Sequence, residues 1–193
     1  MTVKEATSTY FEKPKKTYTY QDYLLLPDNG NRYEILEGEL VMSPSPATIH
    51  QRISRRLVAL LLAYVEQNRA GELFYAPYDV IFSNTNVVQP DILFVRSENS
   101  TIITEKNIQG APDLIIEIIS PATAYYDLIV KKELYETYGV NEFWLVDPSR
   151  NWVEVYELRK GKYELHTRAE KTGKIQSVVL EHFQMNLEDL FQF

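Results

Sequence analysis

The chain of 193 residues contains no cysteine. Disulfides and thiolate metal sites are therefore excluded. It has three histidines, His50, His166 and His182, too dispersed to make a zinc site. No window approaches the ~20 apolar residues of a membrane span. The segment Met1 to Lys16 is polar and lacks the apolar stretch of a signal peptide, so a cytoplasmic protein with no membrane partner is expected. Phosphate-cradling glycine loops, nucleophile elbows and zinc-protease motifs are missing as well. Positive charge is also in short supply. The net charge of -7 argues against a protein that coats nucleic acid by bulk electrostatics. It leaves room for an enzyme in which a local basic patch and a metal meet a phosphate.

Present instead is an ordinary globular composition, 45% hydrophobic and 24% charged, in a length that suits one domain over residues 1–193. Residues 1 to about 16 read as a loose arm. A short helix is expected over Thr19 to Leu26, then a strand pair over Tyr33 to Met42 turning at Glu37-Gly38. Ser43-Pro44-Ser45-Pro46 forms a stiff stop. A long helix follows from about Ala47 to Gln67, with Ile49, Ile53, Leu57, Leu60, Leu61 and Tyr64 on one side. Three strands are expected at about Leu73 to Phe82, Val87 to Val95 and Asp113 to Ile119, with a polar, mobile loop from Ser97 to Gly110. A second helix spans about Tyr125 to Tyr138 and stops at Gly139. Strands near Glu142 to Val146, Trp152 to Leu158, Tyr163 to Arg168 and Ile175 to Leu180 precede a short helix at Leu187 to Phe191. This order predicts an α/β (α+β) fold: a mixed central sheet flanked by helices, with additional N- and C-terminal strands.

One residue breaks the pattern. In Leu114-Ile115-Ile116-Glu117-Ile118-Ile119 five branched aliphatic side chains surround a carboxylate. Such a run reads as a strand buried on both faces. An isolated charge there costs several kcal/mol, so Glu117 needs a cation or a metal. Asp91, after Pro90, opens a second apolar run, Ile92-Leu93-Phe94-Val95. Each acid could simply meet a buried Arg or a helix N-terminus. Together they suit a hard divalent ion, Mg²⁺ or Mn²⁺, held by oxygens that include the Ile118 backbone carbonyl.

At about 100° per residue, Lys131 falls at the centre of the apolar face set by Leu134, Tyr135 and Tyr138, while Lys132 falls with Glu133 and Glu136. Lys131 therefore points inward, either snorkelling to water or pairing with the two acids. Asp127, one turn earlier, is an accessory candidate or a helix N-terminal acid. His50 lies on the apolar side near the start of the first long helix, as a core histidine or as a group reaching the metal or a phosphate. Glu39, after the hairpin turn, is an accessory ligand or a solvated charge. Arg52, Arg55 and Arg56 form a modest basic patch, a solvated face or a contact for a phosphate backbone.

These residues resemble a known pattern. Pro90-Asp91, then a strand carrying Glu117, within a helix, three strands, helix order, is similar to the PD-(D/E)xK nuclease superfamily. More closely, the chain resembles the Uma-type family of restriction-endonuclease-like proteins. The resemblance covers about residues 33 to 148. It rests on Tyr33-Glu34-Ile35-Leu36-Glu37-Gly38-Glu39-Leu40, His50, Val87 to Asp91, Gly110 to Pro121, Asp127 with Lys131 and Tyr135, and Gly139 to Pro148. It implies a restriction endonuclease-like fold and Mg²⁺- or Mn²⁺-dependent hydrolysis of DNA, with Asp91, Glu117 and Lys131 catalytic and a homodimer by analogy. The alternative is a catalytically degenerate nuclease-fold domain that binds nucleic acid or protein. There is one departure: the superfamily's lysine lies two residues after the strand acid, where this chain has Ile119. The resemblance implies that Lys131, on the following helix, has taken its place.

Overall fold

The computed structural model describes residues 16–27, 29–121 and 124–193. The arm expected over residues 1 to about 16 falls almost wholly outside them. Helix α1 (Tyr20–Tyr23) starts at Thr19, whose hydroxyl and backbone exchange hydrogen bonds with Asp22 in a capping box. Strands β1 (Arg32–Leu36) and β2 (Glu39–Ser43) form the expected hairpin. Its turn uses positive φ at Glu37 (51°) and Gly38 (79°), the conformation of a tight primed turn.

Helix α2 (Thr48–Asn68) then crosses the protein and ends on a left-handed Arg69. It buries His50, Ile53, Leu57, Leu61 and Val65. This stripe is rotated from the expected one, for Ile49 and Leu60 remain 38% and 37% exposed. The apolar residues of α2 span more than one face, and the sheet selects the face that begins with a histidine.

The middle strands depart most from expectation. The segment expected as one strand over Leu73 to Phe82 is two, β3 (Gly71–Tyr75) and β4 (Val80–Ser83). The next also splits, into β5 (Asn86–Val88) and β6 (Ile92–Arg96). Each break contains a proline, Pro77 or Pro90, which has no N–H to give a ladder. The halves belong to different sheets. A five-stranded sheet has the order β2-β1-β5-β4-β7, with β7 at Ile108–Gln109. A six-stranded sheet has the order β11-β10-β9-β8-β6-β3, built from β8 (Leu114–Ile118), β9 (Glu142–Asp147), β10 (Trp152–Arg159) and β11 (Lys162–Glu170). Strands β8 and β9 run parallel, and their neighbours pair antiparallel, so the large sheet is mixed. The chain thus crosses between sheets at Gln89-Pro90-Asp91.

Alternation along β8 divides the core. Leu114, Ile116 and Ile118 pack with α2, Ile92, Phe94 and Trp144. Ile115 faces the other way, with Leu93, Tyr135 and Phe143. Glu117 shares the face of Ile115 by period two. On that face lie a π-helical turn (Tyr126–Val130) and α3 (Lys131–Tyr138), which ends at Gly139 with φ 83°. The segment expected as a mobile loop holds a 3-10 helix (Ser97–Ile102) and β7. Buried Asp113 fixes it by accepting hydrogen bonds from the Arg96 N–H and the Asn99 and Asn141 amides.

The C-terminal segment completes the α2 side through β12 (Lys174–Gln176), β13 (Gln184–Asn186) and α4 (Leu187–Phe191). The strand expected over Ile175 to Leu180 stops early because residues 177–180 turn beneath Glu142. This carboxylate is wholly buried and accepts from the Trp144 indole, the Ser177 hydroxyl and the Val178 and Val179 N–H groups. Among the described residues no helix is long and apolar enough to cross a membrane.

Glu142→Gln would set an amide NH₂ against donors that now share two carboxylate oxygens. The expected cost is about 2–4 kcal/mol, as for a buried charge network losing its acceptor. Urea unfolding measures it; a change below the scatter of surface variants would remove Glu142 as the anchor of this segment.

Candidate active site

The crossing at Gln89-Pro90-Asp91, the end of β8 and the start of α3 meet around a cavity of about 250 Å³. Arg32, Glu34, His50, Asp91, Glu117, Ile118, Asp127 and Lys131 line it. The loop from Ser43 to Ala47 forms another wall. Each side chain arrives by a distinct route. Arg32 and Glu34 are two apart on β1 and so share a face. His50 comes from the first turn of α2, and Lys131 opens α3 directly after the π-helical turn. Single π turns inside helices shift side-chain phase and recur at functional sites.

Asp91 is held from two sides. Its Oδ2 accepts the Ile118 N–H at 2.8 Å and lies 3.0 Å from His50 Nε2. Its Oδ1 has the Arg32 guanidinium at 3.8 Å. The bond to Ile118 locks the crossing against the end of β8, so Asp91 and Glu117 are brought to one place by a backbone contact. His50 Nδ1, in contrast, is buried without a hydrogen-bond partner among the described residues. Such an atom is costly unless a ligand or water meets it.

Lys131 gathers the acids. Its Nζ lies 3.0 Å from Glu34 Oε1, 3.1 Å from Glu117 Oε1 and 3.4 Å from Asp127 Oδ1. The Tyr135 hydroxyl donates to the same Glu117 oxygen at 2.6 Å. The Gln89 N–H donates to Glu34 at 2.8 Å. Burial acts to lower the Lys131 pKa, but Glu117, Glu34 and Asp127 outweigh it and hold the ammonium well above its ordinary value. Glu117 is pushed well above the usual carboxylate range. Burial is the largest cause; Lys131 opposes it, and Asp127, Asp91 and Glu34 add to it. Tyr135 is raised by burial and then by Glu117.

Asp91, Glu117, Ile118, Lys131, His50 and Asp127 therefore converge. Glu39 is exposed and outside the cavity lining; the hairpin acid that enters it is Glu34. Arg52 and Arg56 stack on the Phe193 ring at 5.5 and 4.6 Å, and Arg56 also donates to the Asp189 carbonyl. That patch braces the C-terminus, and Arg55, likewise absent from the cavity lining, is exposed on the same helix. Arg32 and Glu34 were not anticipated. Glu34 carried the same signal as Glu117, an acid inside an apolar run, in Tyr33-Glu34-Ile35-Leu36.

The donor set fits a divalent cation in chemistry and charge. Four acidic groups, Glu34, Asp91, Glu117 and Asp127, line the cavity with two permanent cations, Arg32 and Lys131. Hard oxygens of this kind suit Mg²⁺ or Mn²⁺. Among the described residues, however, no three such groups stand in metal-binding geometry. Three of the carboxylates converge on an ammonium.

The mixed sheet, the crossing and the acid-lysine cavity define an α+β fold of the nuclease kind. The chain belongs to the Uma2 family, described as "Putative restriction endonuclease", whose profile matches residues 20–188. A solved structure with the same fold is that of a "putative nuclease belonging to DUF820" from Anabaena variabilis ATCC 29413. It is 23% identical, with a TM-score of 0.74 over 90% of this chain and 97% of that one. No curated protein matches the chain significantly.

Because the folded pKa of Glu117 is raised, its neutral form favours folding at low pH, and stability falls as pH rises through the raised value. Glu117→Gln removes that dependence. The stability of the metal-free variant relative to the wild type should rise from about pH 5 to about pH 8. Melting curves across that range test the sign; a relative stability that falls with pH would mean that Glu117 is stabilised as the ion.

Proposed function

We propose that this chain is a divalent-metal-dependent endonuclease that hydrolyses phosphodiester bonds in DNA. The observation that supports this reading best is the 3.1 Å contact between Lys131 and Glu117. Ile119 occupies the position where the superfamily pattern sets a lysine, and a lysine reaches the strand acid from the next helix instead.

In this reading Asp91, Glu117 and the Ile118 carbonyl would hold the ion, which would supply Lewis-acid polarisation of the phosphoryl group and a lowered pKa for the attacking water. Lys131 orients that water and offsets the charge that develops on the phosphate. His50, its ring fixed through Nε2 by Asp91, presents Nδ1 as the polar contact for substrate or solvent. Arg32, a quarter exposed at its side chain, stands where an incoming phosphate needs a cation.

Asp91→Ala should abolish Mg²⁺-dependent nicking of supercoiled plasmid, a loss of about 10³-fold or more for a group that anchors the metal. Circular dichroism checks that the fold survives. Cleavage at the wild-type rate in a folded variant would refute the assignment of Asp91. Plasmid left intact by the wild type with Mg²⁺ or Mn²⁺ would favour the degenerate binding domain.

A further inference from the structure

An ammonium has three protons to donate. Lys131 has three carboxylate oxygens within 3.4 Å, from Glu34, Glu117 and Asp127, and is 5% exposed. It donates a hydrogen bond to Glu117 and stands in ion-pair contact with Glu34 and Asp127 before any substrate arrives. The oxygen it takes from Glu117 is also the one to which Tyr135 donates. An ammonium and a dication set against one buried carboxylate repel each other, and the low local dielectric strengthens that repulsion.

We infer that Lys131 is the resident counter-cation of this cavity, and that a divalent ion enters by exchange with it rather than by occupying a vacant cage. The inference deepens the proposed function and rests on it. Three observations carry it. Three acids face the ammonium at contact distance. Four acidic side chains line the cavity against two fixed cations, so acidic groups outnumber them by two. Buried His50 Nδ1, on the same wall, has no hydrogen-bond partner among the described residues.

The exchange alters what the lysine does. Paired with Glu117, it is a structural ion. Released from Glu117, it keeps its charge and needs a new acceptor, and the phosphate oxygens of a substrate at the cavity mouth provide one. Metal and phosphate would then favour each other's binding through Lys131, a coupling that is reciprocal by linkage. The same side chain thus opposes metal entry when the cavity holds no substrate and favours it when phosphate is bound.

The test is Mn²⁺ binding to the metal-free, full-length chain by calorimetry. Lys131→Met should bind Mn²⁺ more tightly than the wild type, by roughly tenfold or more, the scale of one unscreened charge at close range. Its cleavage activity should nevertheless be lost. Equal or weaker binding by a folded variant overturns the exchange. Should the variant fail to fold, the wild type supplies a second measurement. The Lys131 ammonium, buried and paired with three carboxylates, should give a slowly exchanging ¹H–¹⁵N signal that shifts or disappears as Mg²⁺ is added. An unchanged signal at saturation also overturns the proposal. A wild type that cleaves DNA with Mg²⁺ while either readout fails keeps the nuclease and discards only the exchange. Absence of Mn²⁺ binding by both proteins discards both.

Discussion

One buried ammonium ties together by charge three elements that the apolar core also packs against one another. Glu34 belongs to the small sheet, Glu117 to the large sheet, and Asp127 and Lys131 to the helical segment between β8 and β9. Carboxylates taken out of water repel one another and lose hydration, and removing their partner leaves a penalty of several kcal/mol. The two sheets therefore meet in a way that keeps Lys131 within reach of all three acids. The Asp91–Ile118 bond acts alongside it. It fixes the sheet crossing to the end of β8, so the cavity has one wall of backbone and one of charge.

The parts of the site that were legible in the chain were those where a charge interrupts a pattern. Glu117 stood out because every neighbour is aliphatic. Asp91 was visible as an acid after a proline at the head of an apolar run. Lys131 could be read from helical phase, because Leu134 and Tyr135 lie on the same continuous α-helix as it does. Leu128, one turn earlier, is 37% exposed, since the π turn breaks the phase before Lys131. Local periodicity carries no sign of that extra residue.

What stayed hidden was non-local. Glu34 sits in a hairpin, where an acid normally meets solvent, and it is buried by elements remote in the chain: Gln89 and Lys131. The division of two apparent strands between two sheets depends on pairing partners as distant as β1 with β5 and β3 with β6. Pro77 and Pro90 marked the breaks, though not the change of sheet. Glu142 opens a strand, where an acid carries no signal of its own; its carboxylate becomes a hub only through the folded C-terminal segment. The overall α+β order survived these errors because it depends on which segments are apolar, and the cavity details depend on which segments cross.

The π-helical turn at Tyr126–Val130 makes the direction of Lys131 a matter of chain length. A π turn contains one residue more than an α turn closing the same span. Deleting a single residue there would restore the α repeat and rotate Lys131 by about 100° relative to the preceding turn. A lysine carried on the strand beside its acid has its geometry fixed by the pleat. A lysine on the next helix can be brought to the acids or withdrawn from them by an insertion or deletion, with every side chain of the cavity unchanged. In such a lineage, gaps would govern gain and loss of function as much as substitutions do.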